Sequence, residues 1–429
     1  MLELLDLRDR RERLEPRRFE IDPVVSDTVR EIVRRVRDEG DDALLELTLR
    51  FDGADLRESG LVVSPDEFAA AIDAVPGELR RALDALIDRV ADLHRRQLPP
   101  EWRDERDGVR FAEIVRPIRA AGCYVPGGRA VYPSSVAMTV TPAVVAGVEE
   151  IVVCTPPTSD GSIHPEVLYA AKRAGATRVV KAGGAQAIAS LAYGTATVPA
   201  VDKVVGPGNA YVTEAKRQLN GIVGIDGLAG PTELVLVAGP DADPRWVAID
   251  LVAQAEHDPE AQATLVTTEE GLVERVEEHL EAEVAMAARR DIVETALKGA
   301  RAVLVSDRDQ ALEVVNDLAP EHLQLAIASP GAFAAGVRNA GAIFVGAFTP
   351  VPFGDYGVAS NHVLPTSGTA RFASGLRASD FVKVMSVVEM DEGAAHALAP
   401  EVSELARSEG LVGHARAVEV RAEDRRRAP

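Results

Sequence analysis

Four short stretches set an acid or amide within a few residues of a histidine in apolar or proline-rich surroundings: QAEH (254–257), PEH (320–322), GDYGVASNH (354–362) and EGLVGH (409–414). Carboxylate, amide and imidazole together are the inventory of metal ligation and proton transfer, because they donate lone pairs and histidine titrates near neutrality. A buried histidine with satisfied hydrogen bonds is the competing explanation for each cluster. Their spacing matches no compact zinc motif such as H-E-x-x-H. Within QAEH, helical residues three apart point within ~60° of each other and residues two apart diverge by ~160°. Gln254 and His257 therefore share a face that Glu256 leaves. This favours a Gln/His ligand pair and gives Glu256 a supporting or structural role; the geometry goes no further.

Glycine marks two further places. VVKAGGAQAIA ends a strand at Gly183-Gly184 and opens a helix, and KVVGPGNAYVTEA does the same through Gly206, Pro207 and Gly208. Without a Cβ the backbone can approach a ligand closely, and a helix N-terminus offers unpaired N–H groups to a phosphate. Gln186 and Asn209 in the first turns could add directed hydrogen bonds. Neither turn is a G-x-G-x-x-G fingerprint, and tight structural turns explain the composition as well as a nucleotide site does.

These residues must be carried by larger elements. The first hundred residues read as amphipathic helices: SDTVREIVRRVRDEGDDALLELTLRFDG up to Gly53, DEFAAAIDAV behind a Ser64-Pro65 cap, and PGELRRALDALIDRVADLHRRQLPP, whose His94 is expected to be solvated. From about residue 112, short β-branched runs alternate with helical segments, the signature of parallel sheets covered by helices. Ligands of open parallel sheets bind at the carboxyl ends of strands, so the strand-to-helix turns are where a site is sought. Two sheets explain the pattern better than one very wide sheet. The tail after about residue 377 reads as helical without strands until VEVRAE.

With 429 residues and 46% hydrophobic content, the chain can bury a large core in two or three units. Its net charge of −21 argues against nucleic-acid and anionic-membrane partners, which such a surface repels. The charged start lacks the apolar core of a signal peptide, and no apolar run could span a bilayer. Two cysteines, Cys123 and Cys154, form no disulfide framework and read as small buried residues. A reducing cytoplasm is the expected compartment.

In order and at compatible spacing, YVPGG, GGAQAIA, KVVGPGNAYVTEAKR, IDGLAGPTE, QAEHDP, PEHL, GDYGVASNHVLPT and EGLVGHARAV resemble the histidinol dehydrogenase family over nearly the whole chain from about residue 20. The resemblance implies an α/β fold of two Rossmann-like (aldehyde-dehydrogenase-like) parallel-sheet domains with small N- and C-terminal appendages. The corresponding boundaries are 1–21 for the N-terminal segment, 22–123 with 232–376 for the first domain, 124–231 for the second, and 377–429 for the C-terminal appendage. It further implies oxidation of L-histidinol through L-histidinaldehyde to L-histidine with two NAD+ and a water, as the last steps of histidine biosynthesis. Carried over residue by residue, Gln254, His257, Asp355 and His414 hold one Zn2+ per subunit. Glu321 activates water and His322 is the general base, while Tyr124, Gln186 and Asn209 contact NAD. Thr232 and Glu409 contact substrate, together with Gln254, His257, His322, Asp355 and His414. The appendage would bring Glu409 and His414 to a neighbouring subunit, making a homodimer with shared sites.

One departure is visible: Thr232 stands in GPTE where the family pattern has serine, which keeps the hydroxyl and adds a methyl. His362 is expected on the site wall, and His164, His279 and His396 at the surface. A zinc-containing NAD-dependent dehydrogenase of the same fold acting on another small alcohol is the nearest alternative; retention of PEH, Glu409 and His414 argues against it. A zinc hydrolase would leave the glycine turns without a purpose, and a non-enzymatic binding protein would have no need of Glu321 and His322.

Overall fold

The computed structural model describes residues 2–10, 13–17, 20–127, 131–358 and 360–423. Gly128 of YVPGG and Ala359 of GDYGVASNH lie outside them. The chain forms two compact units, residues 1–97 with 118–381, and residues 98–117 with 382–429.

The first unit opens with β1 (Glu3–Asp6), then α1 (Pro23–Glu39), α2 (Asp41–Asp52), α3 (Pro65–Ala74) and α4 (Gly77–Arg95). Gly40, at φ 61°, breaks the stretch up to Gly53 into two helices where helical spacing alone predicts one. Ser64 caps α3 through a full capping box, its hydroxyl taking the Glu67 N–H while the Glu67 carboxylate takes the Ser64 N–H. The second unit begins with the hairpin strands β2 (Trp102–Arg106) and β3 (Val109–Pro117).

Back in the first unit, β4 (Ala120–Tyr124), α5 (Pro133–Ala146), β5 (Glu150–Thr155), α6 (Pro165–Ala174), β6 (Arg178–Lys181), α7 (Gly184–Tyr193), β7 (Lys203–Val205), α8 (Ala210–Leu219) and β8 (Gly224–Ile225) build a parallel sheet of order β6-β5-β4-β7-β8. Its β4 is buried throughout and β5 nearly so. That is why these strands read as continuous apolar runs rather than alternating ones. The chain continues as β9 (Glu233–Ala238), α9 (Pro244–Ala255), β10 (Gln262–Thr267), α10 (Glu270–Met286), α11 (Arg290–Leu297), β11 (Arg301–Leu304), α12 (Arg308–Leu318), β12 (His322–Ala326), α13 (Pro330–Ala334) and β13 (Ala342–Val345). These strands and β1 form a second parallel sheet of order β1-β11-β10-β9-β12-β13. Successive side chains of β9 go to opposite faces: Leu234, Leu236 and Ala238 pack with α9, α10 and α11, whereas Val235 and Val237 pack with α12. Both faces are thereby covered by helices.

Several expectations are revised. The N-terminal segment is not only an appendage: β1 pairs with β11 in parallel register, Glu3 opposite Arg301. α1 and α2, which the resemblance places in one domain with 232–376, bury Val29, Val36, Leu44 and Leu47 in the core of the five-stranded sheet. The tail contains β14 (Val382–Met390), paired antiparallel with β3, and VEVRAE lies in and just beyond the last helix. In the second unit the three-stranded antiparallel sheet β14-β3-β2 is joined by α14 (Glu392–Ser408) and α15 (Val412–Ala422). His94 is fully buried: its Nδ1 lies 2.7 Å from Gln97 Oε1 and its Nε2 3.2 Å from Asn361 Nδ2. Apolar burial outweighs the charged neighbours that made it look solvated. His164 and His396 are exposed and His279 is half-buried. Cys123 and Cys154 are buried thiols, pushed up by desolvation, Cys123 to about 12.

Candidate active site

One wall of the site cavity comes from the carboxyl ends of the five-stranded sheet. Tyr124 ends β4, and its hydroxyl accepts the Gly184 N–H at 3.1 Å; burial pushes the phenol up to about 12. Gly184 (φ 63°) begins α7, and Gln186 folds back over it, so that a Cβ there would sit 2.9 Å from the Gln186 amide oxygen. Gly206 (φ 115°) packs on the backbone of Tyr124, where a Cβ would lie 2.1 Å from the carbonyl oxygen. Only glycine fits both the space and the dihedral. Asn209 caps α8, its Oδ1 accepting the N–H groups of Tyr211 and Val212 at 3.1 and 3.2 Å. Asn209 itself lines the cavity.

The opposite wall comes from the amino ends of the six-stranded sheet. His322 opens β12 beside Leu234 near the start of β9, and Glu321 precedes it. Glu321 Oε2 accepts the Thr232 hydroxyl at 2.6 Å and the Glu233 N–H at 3.0 Å. Burial pushes the Glu321 carboxyl up to about 7 against these two bonds, which favour its charged form. The Thr232 hydroxyl in turn accepts the Gln254 amide at 3.1 Å. His322 Nδ1 stands 3.4 Å from Glu321 Oε2, and neither buried ring nitrogen has a hydrogen-bond partner. Desolvation lowers the His322 pKa, and the Asp355 charge opposes that shift. Asp355 comes from a single wide helical turn, Phe353–Gly357, and burial raises it to about 6. His362 lies between the walls, Nε2 3.4 Å from Ser135 Oγ and Nδ1 3.7 Å from Asp355 Oδ1; burial drops it to about 4.

QAEH straddles a helix end. α9 stops at Ala255, Glu256 is the cap, and His257 lies just beyond it. Helical spacing therefore does not govern His257, and the shared face expected for Gln254 and His257 has no helix to define it. Gln254 is buried, His257 lines the cavity, and Glu256 is exposed and outside it.

The cavity has a volume of about 700 Å3 and brings together Tyr124, Asn209, Thr232, His257, Glu321, His322, Asp355 and His362. Gln254 stands one hydrogen bond behind Thr232, and Gln186 is buried behind Gly184. Glu409 and His414 belong to the second unit, where both are exposed and line an apolar groove with Leu405 and Leu411. Sequence reasoning missed Tyr132, Ser134, Ser135, Asp258 and Tyr356 on the cavity wall. The two serines follow Pro133 in the first turn of α5 and read as an ordinary helix start. Asp258 and Tyr356 adjoin residues already singled out, so adjacency was the available signal.

Among the described residues, no group of three His, Cys, Asp or Glu side chains is close enough to hold a metal ion. The candidate donors in this unit are of mixed kind, the Gln254 amide oxygen, the His257 imidazole and the Asp355 carboxylate, a set of oxygen and nitrogen donors that suits zinc. Two observations fit a cation here. No described lysine or arginine lines the cavity to offset its buried carboxyls, and α9 ends its partial negative pole at Gln254 and His257. No described helix is long and apolar enough to cross a membrane.

Fold and site together define an α/β enzyme with a cleft between the carboxyl edge of one parallel sheet and the amino edge of another. Residues 16–422 match the family model described as histidinol dehydrogenase. Histidinol dehydrogenase of Moorella thermoacetica is 46% identical over 99% of this chain and all of its own length. The Brucella melitensis protein of the same name is 47% identical over 94% of both chains. The crystal structure of histidinol dehydrogenase from Elizabethkingia anophelis superposes with a TM-score of 0.92 at 33% identity, covering 98% of each chain. The chain belongs to the histidinol dehydrogenase family, the oxidoreductases of histidine biosynthesis.

Proposed function

We propose that the chain oxidises L-histidinol to L-histidine in two NAD-dependent steps, by way of L-histidinaldehyde, in the cytoplasm. The observation that carries this reading is the buried Glu321–His322 pair, which shares one cavity with Tyr124 and with Pro207, Gly208 and Asn209 of the second glycine turn. A hydride leaves carbon only as the hydroxyl proton is removed, so the first step needs a neutral base. His322, with its charged form disfavoured by burial and both ring nitrogens unpartnered, would take that proton. The second step needs a hydrated aldehyde. Glu321, titrating near 7 and oriented by Thr232 and the Glu233 N–H, would deprotonate the attacking water.

NAD, when bound, supplies the hydride acceptor; Tyr124, Gln186 and Asn209 in the 124–231 segment would hold it, with the turns at 183–184 and 206–209 admitting its backbone-contacting phosphates. Zinc, when bound, supplies a Lewis-acidic anchor for the imidazole and amine nitrogens of the substrate. Gln254, His257 and Asp355 would hold it, with His414 and the substrate contact Glu409 contributed across a homodimer by the 377–429 segment. Orientation by a fixed anchor leaves the proton chemistry to Glu321 and His322.

The test is to incubate the purified chain with Zn2+, NAD+ and a limiting amount of L-histidinol and count NADH. Two NADH per histidinol are expected. One would place the second oxidation elsewhere, and none would overturn the reading.

A further inference from the structure

A buried ion pair outside the residues assigned so far grips the second glycine turn. Lys216 on α8 and Asp226 after β8 are 3% and 9% exposed at the side chain and 2.6 Å apart. The Lys216 ammonium also donates to the Gly206 carbonyl at 2.5 Å, and Asp226 Oδ2 accepts the Gly206 N–H at 2.7 Å. Both polar groups of this one residue are therefore held by the two members of the pair. Gly206 needs holding. At φ 115° it packs on the Tyr124 backbone and opens the turn to Asn209.

The same carboxylate anchors a second segment. Asp226 Oδ1 accepts the Gly227 N–H at 2.8 Å, at the start of the crossover that leads to Thr232. That crossover is tied again where Ala229 O accepts the Thr213 hydroxyl at 2.8 Å and where the Gly230 N–H donates to Thr366 Oγ1 at 2.7 Å. A buried ion pair is an inefficient source of stability, since apolar replacements of the same volume often do as well. What an apolar pair cannot do is hold both the N–H and the carbonyl of one residue.

We infer that Lys216 and Asp226 are positioning residues for the dinucleotide: their ion pair fixes the two peptide groups that flank Gly206, and with them the turn to Asn209, in the orientation that receives NAD. This rests on the reading that the turn binds NAD. The pair touches neither reacting atoms nor zinc donors, so its loss weakens the dinucleotide selectively.

The experiment titrates full-length wild type, K216M, D226A and D226N with NADH by fluorescence, and with L-histidinol by calorimetry. K216M and D226A are expected to raise the NADH Kd about tenfold or more, because a freed turn must be reordered on binding. D226N keeps an oxygen for the Gly206 N–H and is expected to lose only about threefold, with histidinol Kd within about twofold throughout. Kd is read from the midpoint, so a partly unfolded preparation loses amplitude without moving it. If D226A does not fold, K216M and D226N decide. Unchanged NADH affinity overturns the inference, and so does equal weakening of both ligands, the mark of a merely structural pair. Failure of the wild type to bind NADH at all overturns the nucleotide reading, and this inference with it.

Discussion

The two parallel sheets meet the cavity with opposite ends. The five-stranded sheet offers its carboxyl edge, where α7 and α8 begin and where the groups are glycine backbone, a neutral phenol and a capping amide. The six-stranded sheet offers its amino edge, where α9 ends and where Glu233, Glu321, His322 and Asp355 are buried and shifted by desolvation. Helix N-termini carry partial positive charge and suit an anion, and helix C-termini carry the opposite charge and suit a cation. On the proposed function, one edge would bind a phosphate-bearing cofactor, and the other would hold a metal and move protons. The rule that directs a search to carboxyl edges finds only the first of these.

The largest expected effect falls on the amino edge. His322→Asn should lower kcat by about 10^2- to 10^4-fold, the usual worth of a positioned base, while zinc content by metal analysis and NADH affinity stay near wild type. A loss of NADH binding instead would erase the distinction between the edges. Stripping zinc with a chelator should weaken histidinol binding by about 100-fold and NADH binding by less than about threefold, both read by calorimetry, since the anchor serves one ligand only. Comparable losses for both ligands would show that the two walls act as one.

Stability should also separate them. Burial and the neighbouring Glu321 charge push Glu233 up to about 8. A carboxyl whose pKa rises on folding binds its proton more tightly in the native state, so its contribution is present below about pH 4.5 and is lost as pH climbs toward 8. Glu233→Gln should then be more stable than wild type by about 2–4 kcal/mol at pH 8, with the difference vanishing near pH 4.5 in urea unfolding of the zinc-free chain. A pH-independent difference would contradict the buried-acid account of this edge. The smallest effect belongs to the carboxyl edge: Tyr124→Phe leaves the Gly184 N–H without its acceptor and should cost about 1 kcal/mol, seen as a roughly fivefold rise in KM for NAD at unchanged kcat.

Much of this was legible in the residues. Helix and strand periods are local, so alternation after residue 112 announced two helix-covered parallel sheets, and Ser64-Pro65 announced the start of α3. Glycine at 183–184 and 206–208 marked the strand-to-helix turns at the carboxyl edge, because a turn needing positive φ or close approach narrows the choice of residue. PEH and QAEH drew notice because charged and imidazole side chains in apolar sequence must be satisfied by something. Pairings between distant segments were not legible. β14 meets β3 across more than 260 positions, and both β14 faces are largely exposed, so VKVMSVVEM carries no alternation to announce a strand.

The sequence by itself determined the inventory and the local geometry: which side chains can titrate, where the backbone can turn, and which runs are helix or strand. Tertiary structure alone decided that β1 closes the edge of the second sheet, that His94 is interior, and that Glu321 and His322 share a cavity with the second glycine turn from the amino end of their own sheet. The physical reason is that burial, which shifts Glu321, His322 and Asp355 and so sets what they can do, belongs to the packing of segments far apart in the chain and to no residue alone.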